Sequence, residues 1–204
     1  MVRLAVAALL AVSFAVAGVS PAAAQPSEAP PAAVARLSAN APRVLFAVSD
    51  SVKGNDGRRV RIVRTVTYHP AAGEYVDETV AADGRVLARR VEPTSVAAPT
   101  PTEWAAARAL VAAHPEVAAQ IGAEAAPVQI EGGFPLVREA GHPCGPGGRC
   151  VLVDVFATPP GADARRLRYV IVDLRALRVL DPDADPDADT NFAHPGARRQ
   201  SRRQ

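Results

Sequence analysis

Large core-building side chains are scarce in this chain. Aromatic residues make up 4% of its 204 positions, and there is one tryptophan. Alanine inflates the 49% hydrophobic fraction, so the few bulky residues locate the fold. Net charge is also scarce, at a formal +2. That indicates neither a general nucleic-acid binder nor an acidic solvating protein. Beyond the first two dozen residues no segment is apolar enough to span a bilayer. The motifs G-x-S-x-G, H-E-x-x-H and G-x-G-x-x-G are all absent, so no catalytic set is recognisable. Cysteine is limited to Cys144 and Cys150.

The chain opens MVRLAVAALLAVSFAVAGVSPAAAQ. A short positive start at Arg3 precedes an apolar run from Leu4 to about Val19, and Ala22 and Ala24 stand in an A-x-A relation before Gln25. This is the three-part layout of a secretory signal peptide, with cleavage expected after Ala24. The apolar run falls short of the roughly 20 residues that cross a bilayer comfortably, so no membrane span is expected after cleavage. No twin arginine and no following cysteine point to the folded-protein route or a lipid anchor.

Residues 25–42 are rich in alanine and proline without a sustained period and read as a linker, with a short helix near residues 32–37. A single domain is expected over residues 43–180. RVLFAVSDSV suits a first strand. Val60, Ile62, Val66 and Tyr68 then share one face of a period-two segment broken only at Arg64. Turns at PAAG and ADG make residues 59–91 a three-stranded meander, Asp-Gly being a strong hairpin signal. After a proline-rich connector, Thr100, Pro101 and Glu103 form a capping box with proline at the first helical position. Trp104, Ala107, Leu110, Val111 and His114 follow at helical spacing, and Pro115 ends or kinks the helix. PVQIEG, CVLVDVFA, RRLRYVIVDL and RVL are strands, apolar enough on both faces to be covered by that helix. The expected fold class is therefore α+β: an antiparallel β-sheet packed on one main α-helix, cystatin-like, with flexible termini. Residues 181–204, aspartate-rich then arginine-rich, read as a disordered tail.

The segment GHPCGPGGRC admits several chemistries. Zinc needs about four ligands, and only His142 lies near the two cysteines. Redox pairs favour C-x-x-C beside a βαβ unit, and a phosphate loop needs lysine and a following helix. Here a strand follows. Behind an export signal, a structural disulfide between Cys144 and Cys150 is the expectation. Closing so small a loop removes roughly 2 kcal/mol of unfolded-chain freedom. Asp181, Asp183 and Asp185 match the first spacings of a calcium loop. Pro186 and Phe192 stand where its glycine and bidentate glutamate belong, which favours a solvated acidic linker. Arginines 58, 59, 61, 64, 85, 89 and 90 cluster on the meander and read as the solvated side of a sheet. Asp154 and Asp173 lie in apolar strands, where burial would raise their pKa, but nothing assigns them a role. His69 and His114 receive none either. No catalytic residue, metal ligand or cofactor is expected.

The stretches TPTEWAAARALVAAHPEV, RCVLVDVFA and LRYVIVDLRALRVLDPD resemble the small N-terminal domains of copper amine oxidases and, more distantly, PepSY-type secreted domains. NFAHP is loosely similar to the segment leading toward the oxidase's catalytic domain. The likeness covers about residues 59–180 and implies a helix against an antiparallel sheet. It does not carry oxidase chemistry across. That family's active site lies in a later β domain, its cofactor arises from a tyrosine following an asparagine, and its copper ligands include His-x-His. Here Asn40, Asn55 and Asn191 precede Ala, Asp and Phe, and the histidine pair is missing. The expectation is a secreted or periplasmic, non-enzymatic binding domain, with a protein or small-molecule partner outside the cytoplasm and no nucleic acid. The alternative is an amine-oxidase-related accessory or degenerate oxidase fragment.

Overall fold

Short polar turns between β-branched runs let each strand pair with its sequence neighbour, and this local pairing shapes the whole molecule. The computed structural model describes residues 30–37, 40–53 and 57–184. The expected signal peptide and the tail beyond Ala184 lie outside the described residues. Strands β1 (Arg43–Lys53), β2 (Arg59–His69), β3 (Glu74–Ala81) and β4 (Val86–Glu92) form one antiparallel sheet in sequence order. Strands β5 (Val128–Leu136), β6 (Cys150–Ala157), β7 (Arg165–Asp173) and β8 (Arg178–Asp181) form a second, again in sequence order. Between the two sheets lie the connector and helices α2 (Pro101–Ala113) and α3 (Pro115–Ala123), and a short α1 (Pro30–Arg36) precedes β1.

The expected single sheet on one main helix is thus wrong. Among the described residues, eight strands divide into two four-stranded sheets, no strand of one pairs with the other, and the helices have only 7, 13 and 9 residues. The reason is partly one of size. Thirteen helical residues span about 20 Å. Four strands at about 4.8 Å spacing fill that length, and eight would nearly double it. The expected three-stranded meander gains β1 as a fourth strand, paired along the length of β2 around a bulge at Leu45.

Helix α2 lays its small face on the second sheet. Ala106, Ala107 and Val111 meet Val151, Val153 and Val155 of β6 and Val170 and Val172 of β7, with Leu37, Val117 and Leu174 completing the core. Alternate residues of the same strands serve the sheet's other face, where Leu136, Cys144, Cys150, Leu152, Ile171 and Ala184 form a smaller cluster. That two-sided burial explains the near-continuous apolar run of β6.

The helix start does more than cap. The Glu103 N–H donates to the Thr100 hydroxyl at 3.1 Å, and the Thr100 N–H donates to Glu103 Oε2 at 3.0 Å. Both groups belong to the capping box read from the sequence. The Glu103 carboxylate also accepts from Arg149 Nη2 at 2.8 Å and Nε at 3.2 Å. Arg43 Nη1 approaches it at 3.4 Å and donates to the Leu174 carbonyl at 3.0 Å. Arg149 spends its remaining donors on the carbonyls of Ala97, at 2.8 Å, and Ala98, at 3.1 Å. All three ionic side chains are buried. Burial drives the Glu103 carboxyl upward, but Arg149, the Thr100 N–H and Arg43 outweigh it and hold the group below its ordinary value.

Two predictions follow from this network. Arg149→Ala strands a buried carboxylate, and the expected loss of unfolding free energy in urea is about 3–5 kcal/mol. The double variant with Glu103→Ala should lose clearly less than the sum of the single losses. Because Glu103 is depressed in the folded state, its contribution is complete above the ordinary glutamate value of 4.5 and is lost as pH falls through and below it. Melting temperature should therefore drop on acidification from pH 6 to pH 3, and the drop should be shallower in Glu103→Gln.

Candidate functional site

The GHPCGPGGRC segment proves to be the joint between the sheets. Cys144 and Cys150 stand at disulfide distance, with Cα atoms 5.3 Å apart, and close a ring at the start of β6. Inside it the Gly145 N–H donates to His142 O and the Gly148 N–H to Gly145 O, each at 2.8 Å. The His142 Nδ1 accepts the Cys144 N–H at 3.0 Å. From the first sheet, Tyr68 and Tyr75 stack with ring centroids 4.7 Å apart. Their hydroxyls donate to the carbonyls of Gly147, at 3.0 Å, and Gly148, at 2.5 Å. Arg175 Nη1 donates to the Gly147 carbonyl as well, at 3.2 Å. The Gly147 N–H donates to Pro93 O at 2.7 Å, where the connector leaves β4.

Gly147 is required by this docking, and Gly145 and Gly148 by the fold of the loop itself. Gly147 adopts φ +82°, and a Cβ there would come within 3.2 Å of the Gly73 carbonyl in the β2–β3 turn. A Cβ on Gly145 would collide with the carbonyls of Glu139 and His142. Tyr75 is buried deeply enough that its hydroxyl is pushed well above the usual phenol range, first by burial, and it stays a donor.

Beyond the joint, the first sheet projects as an open surface, and the strand registers sort its side chains. One face carries Phe46, Val48, Val52, Val60, Ile62 and Val66, with Tyr68 and Tyr75 at its inner end. Its inner margin borders a groove formed with connector residues Ala97 to Pro101. On this face Arg64 grips Asp77 through Nε at 2.9 Å and Nη2 at 2.6 Å. The opposite face carries Lys53, Arg59, Arg61 and Arg89 among Val44, Val63, Val86 and Val91, with Glu74 and Glu78 as its strand acids. Those four valines are 39–56% exposed. Glu78 pairs with Arg89 at 3.6 Å. Arg59 donates to Ser51 Oγ at 3.3 Å. The arginine cluster read from the sequence is therefore split. Arg64 and Arg90 lie on the first face, Arg59, Arg61 and Arg89 on the second, and Arg85 in the β3–β4 turn beside Asp83 at 3.9 Å. Arg58 immediately precedes β2.

The sheet carboxylates do not converge. Asp154 pairs in register with Tyr169 and Asp173 with Cys150, four positions away along the same two strands. Burial raises the Asp154 carboxyl against the pull of Arg166, whose Nε lies 2.7 Å from it. The Arg166 guanidinium sits 4.7 Å from the Tyr169 ring centroid and 5.4 Å from that of Phe156. Asp173 accepts the Arg175 and Ala176 N–H groups at 2.8 and 3.0 Å, which shapes the β7–β8 turn. His114 ends α2 and begins α3, and His69 ends β2. Asp183 lies 3.8 Å from Arg168, while Asp185, the third residue of the calcium-like spacing, is outside the described residues.

Sequence reasoning missed the joint's long-range members: Tyr68, Tyr75, Arg43, and Glu103 beyond its capping role. Arg149, alone between glycine and a paired cysteine at the head of an apolar strand, carried the available signal. No protein-family model matches the chain, and no curated protein matches it.

Opening the ring tests how far the joint depends on it. The double variant Cys144→Ser/Cys150→Ser should lose roughly 2 kcal/mol of stability in urea. Its near-ultraviolet circular dichroism should change in the tyrosine region as the Tyr68–Tyr75 stack loses its fixed acceptors. An unchanged tyrosine spectrum would show that the ring does not hold the tyrosines.

Proposed function

We propose that the chain is an exported, non-catalytic binding domain that uses its first sheet as the contact surface. The observation that carries this reading is the uncovered first sheet. Among the described residues, no helix or second sheet lies over the face bearing Val44, Val63, Val86 and Val91. Exposed apolar side chains set among polar ones on an uncovered sheet face suit an interaction surface. Export is supported by the tripartite N-terminus, and the cysteines at disulfide distance suit an oxidising compartment. The partner is a protein, a small molecule or a surface met outside the cytoplasm, and the joint sets the angle at which the sheet is presented.

Two measurements test this. Protein recovered from outside the cytoplasm should have the mass expected after cleavage behind Ala24 and contain no free thiol. A photo-crosslinking residue at position 63 should yield a discrete adduct in intact cells, and one at position 163, in the β6–β7 turn, should not. Equal labelling from both positions, or none from either, would overturn the binding reading. Copper analysis with a quinone stain separates it from the amine-oxidase-related alternative, which a positive stain would favour.

A further inference from the structure

We infer that the valine-bearing face of the first sheet docks on an anionic lipid bilayer. The inference rests on the proposed binding role of that sheet and names its partner. Register places four cations, Lys53, Arg59, Arg61 and Arg89, on that face against two strand acids, Glu74 at the inner end and Glu78, which Arg89 engages. Lys53, Arg59 and Arg61 then gather where β1 and β2 meet at the outer end, with no strand acid facing them. All four cations are exposed. The other face has no such excess, because Asp50, Asp77 and Glu92 accompany Arg64 and Arg90 there.

The aliphatic side chains decide between anionic partners. Val44, Val63, Val86 and Val91 stand exposed among the cations, and Ser49, Ser51, Thr65 and Thr67 fill much of the remaining surface. An acidic polymer would satisfy the cations and leave the valines in water. The chain's own acidic stretch, which is aspartate with alanine and proline, would do the same. A second copy meeting this face through a two-fold axis would set like charges against each other. An anionic bilayer surface offers headgroup charge to the arginines and an acyl boundary to the valines. No helix among the described residues is long and apolar enough to cross a membrane, so the contact proposed is peripheral.

The test is co-sedimentation of the full chain with vesicles of phosphatidylcholine containing 30% phosphatidylglycerol, against pure phosphatidylcholine. The expected result is preferential binding to the anionic vesicles, abolished by high salt as screening shortens to a few ångströms. Each cation near the surface contributes about a fivefold factor to partitioning. Lys53→Gln/Arg59→Gln/Arg61→Gln should therefore lower the partition coefficient about 100-fold, while Arg90→Gln on the other face changes it little. Val63→Ser/Val86→Ser should weaken binding that survives moderate salt. Circular dichroism of each variant confirms folding. Equal binding by the triple variant, or no preference of the wild type for anionic vesicles, overturns the inference. Binding that emerges only in Asp185→Asn/Asp187→Asn/Asp189→Asn would assign the face to the chain's own acidic stretch instead. Loss of vesicle binding with a persisting adduct from position 63 would refute the lipid partner and leave the binding role standing.

Discussion

The molecule depends on one buried ion pair. Glu103 and Arg149 lie 46 residues apart, and both are removed from water. Their bonds tie the first turn of α2, the connector carbonyls before it and the head of β6 into one unit. Arg43 adds the first residue of β1 to the same carboxylate. An ion pair taken out of water costs desolvation that only good geometry and additional hydrogen bonds repay. Here Thr100 and the carbonyls of Ala97, Ala98 and Leu174 supply those bonds. The result is specificity of assembly: a two-sheet chain whose halves never share a strand pair acquires a defined docking arrangement.

The ring closed by the Cys144 and Cys150 pair works with that ion pair in a different way. The ion pair fixes where the ring begins, and the ring fixes where its carbonyls point. Tyr68 and Tyr75 then read two successive carbonyls, of Gly147 and Gly148, from the far sheet. A segment whose composition suggests metal or redox chemistry supplies the carbonyl acceptors of two phenols. Its glycines suit the close approach of backbone to backbone that any side chain would prevent.

Much of the local structure was legible in the residues. The Thr100–Glu103 box, the proline at the first helical position, the Asp-Gly turn and the alternation of Val60, Ile62, Val66 and Tyr68 each declare themselves within a few positions. What escaped was the partition of strands into two sheets. Period-two patterns show which side chains share a face, but they do not say which sheet a strand joins. Apolar residues on both faces of CVLVDVFA suggested helix cover, and α2 does pack there. Nothing local to β1–β4 said that α2 would not also reach them. The joint was hidden for a related reason. Its members are separated by 46 to 131 residues and meet only in three dimensions. The asymmetry of charge between the two faces of the first sheet was likewise invisible until the bulges at Leu45 and Leu87 set the registers.

Those bulges carry a consequence for chain association. A long, flat, aliphatic edge invites a further strand from a neighbouring molecule, and β1 is eleven residues long with Val44, Phe46, Val48 and Val52 exposed along it. The unpaired Leu45 kinks one outer edge, and the unpaired Leu87 kinks the other. Each interrupts the regular hydrogen-bonding pattern that a newcomer would need to copy, and each adds twist to its strand. The same residues that sort cations from acids across the sheet thus also break the regularity of its two rims.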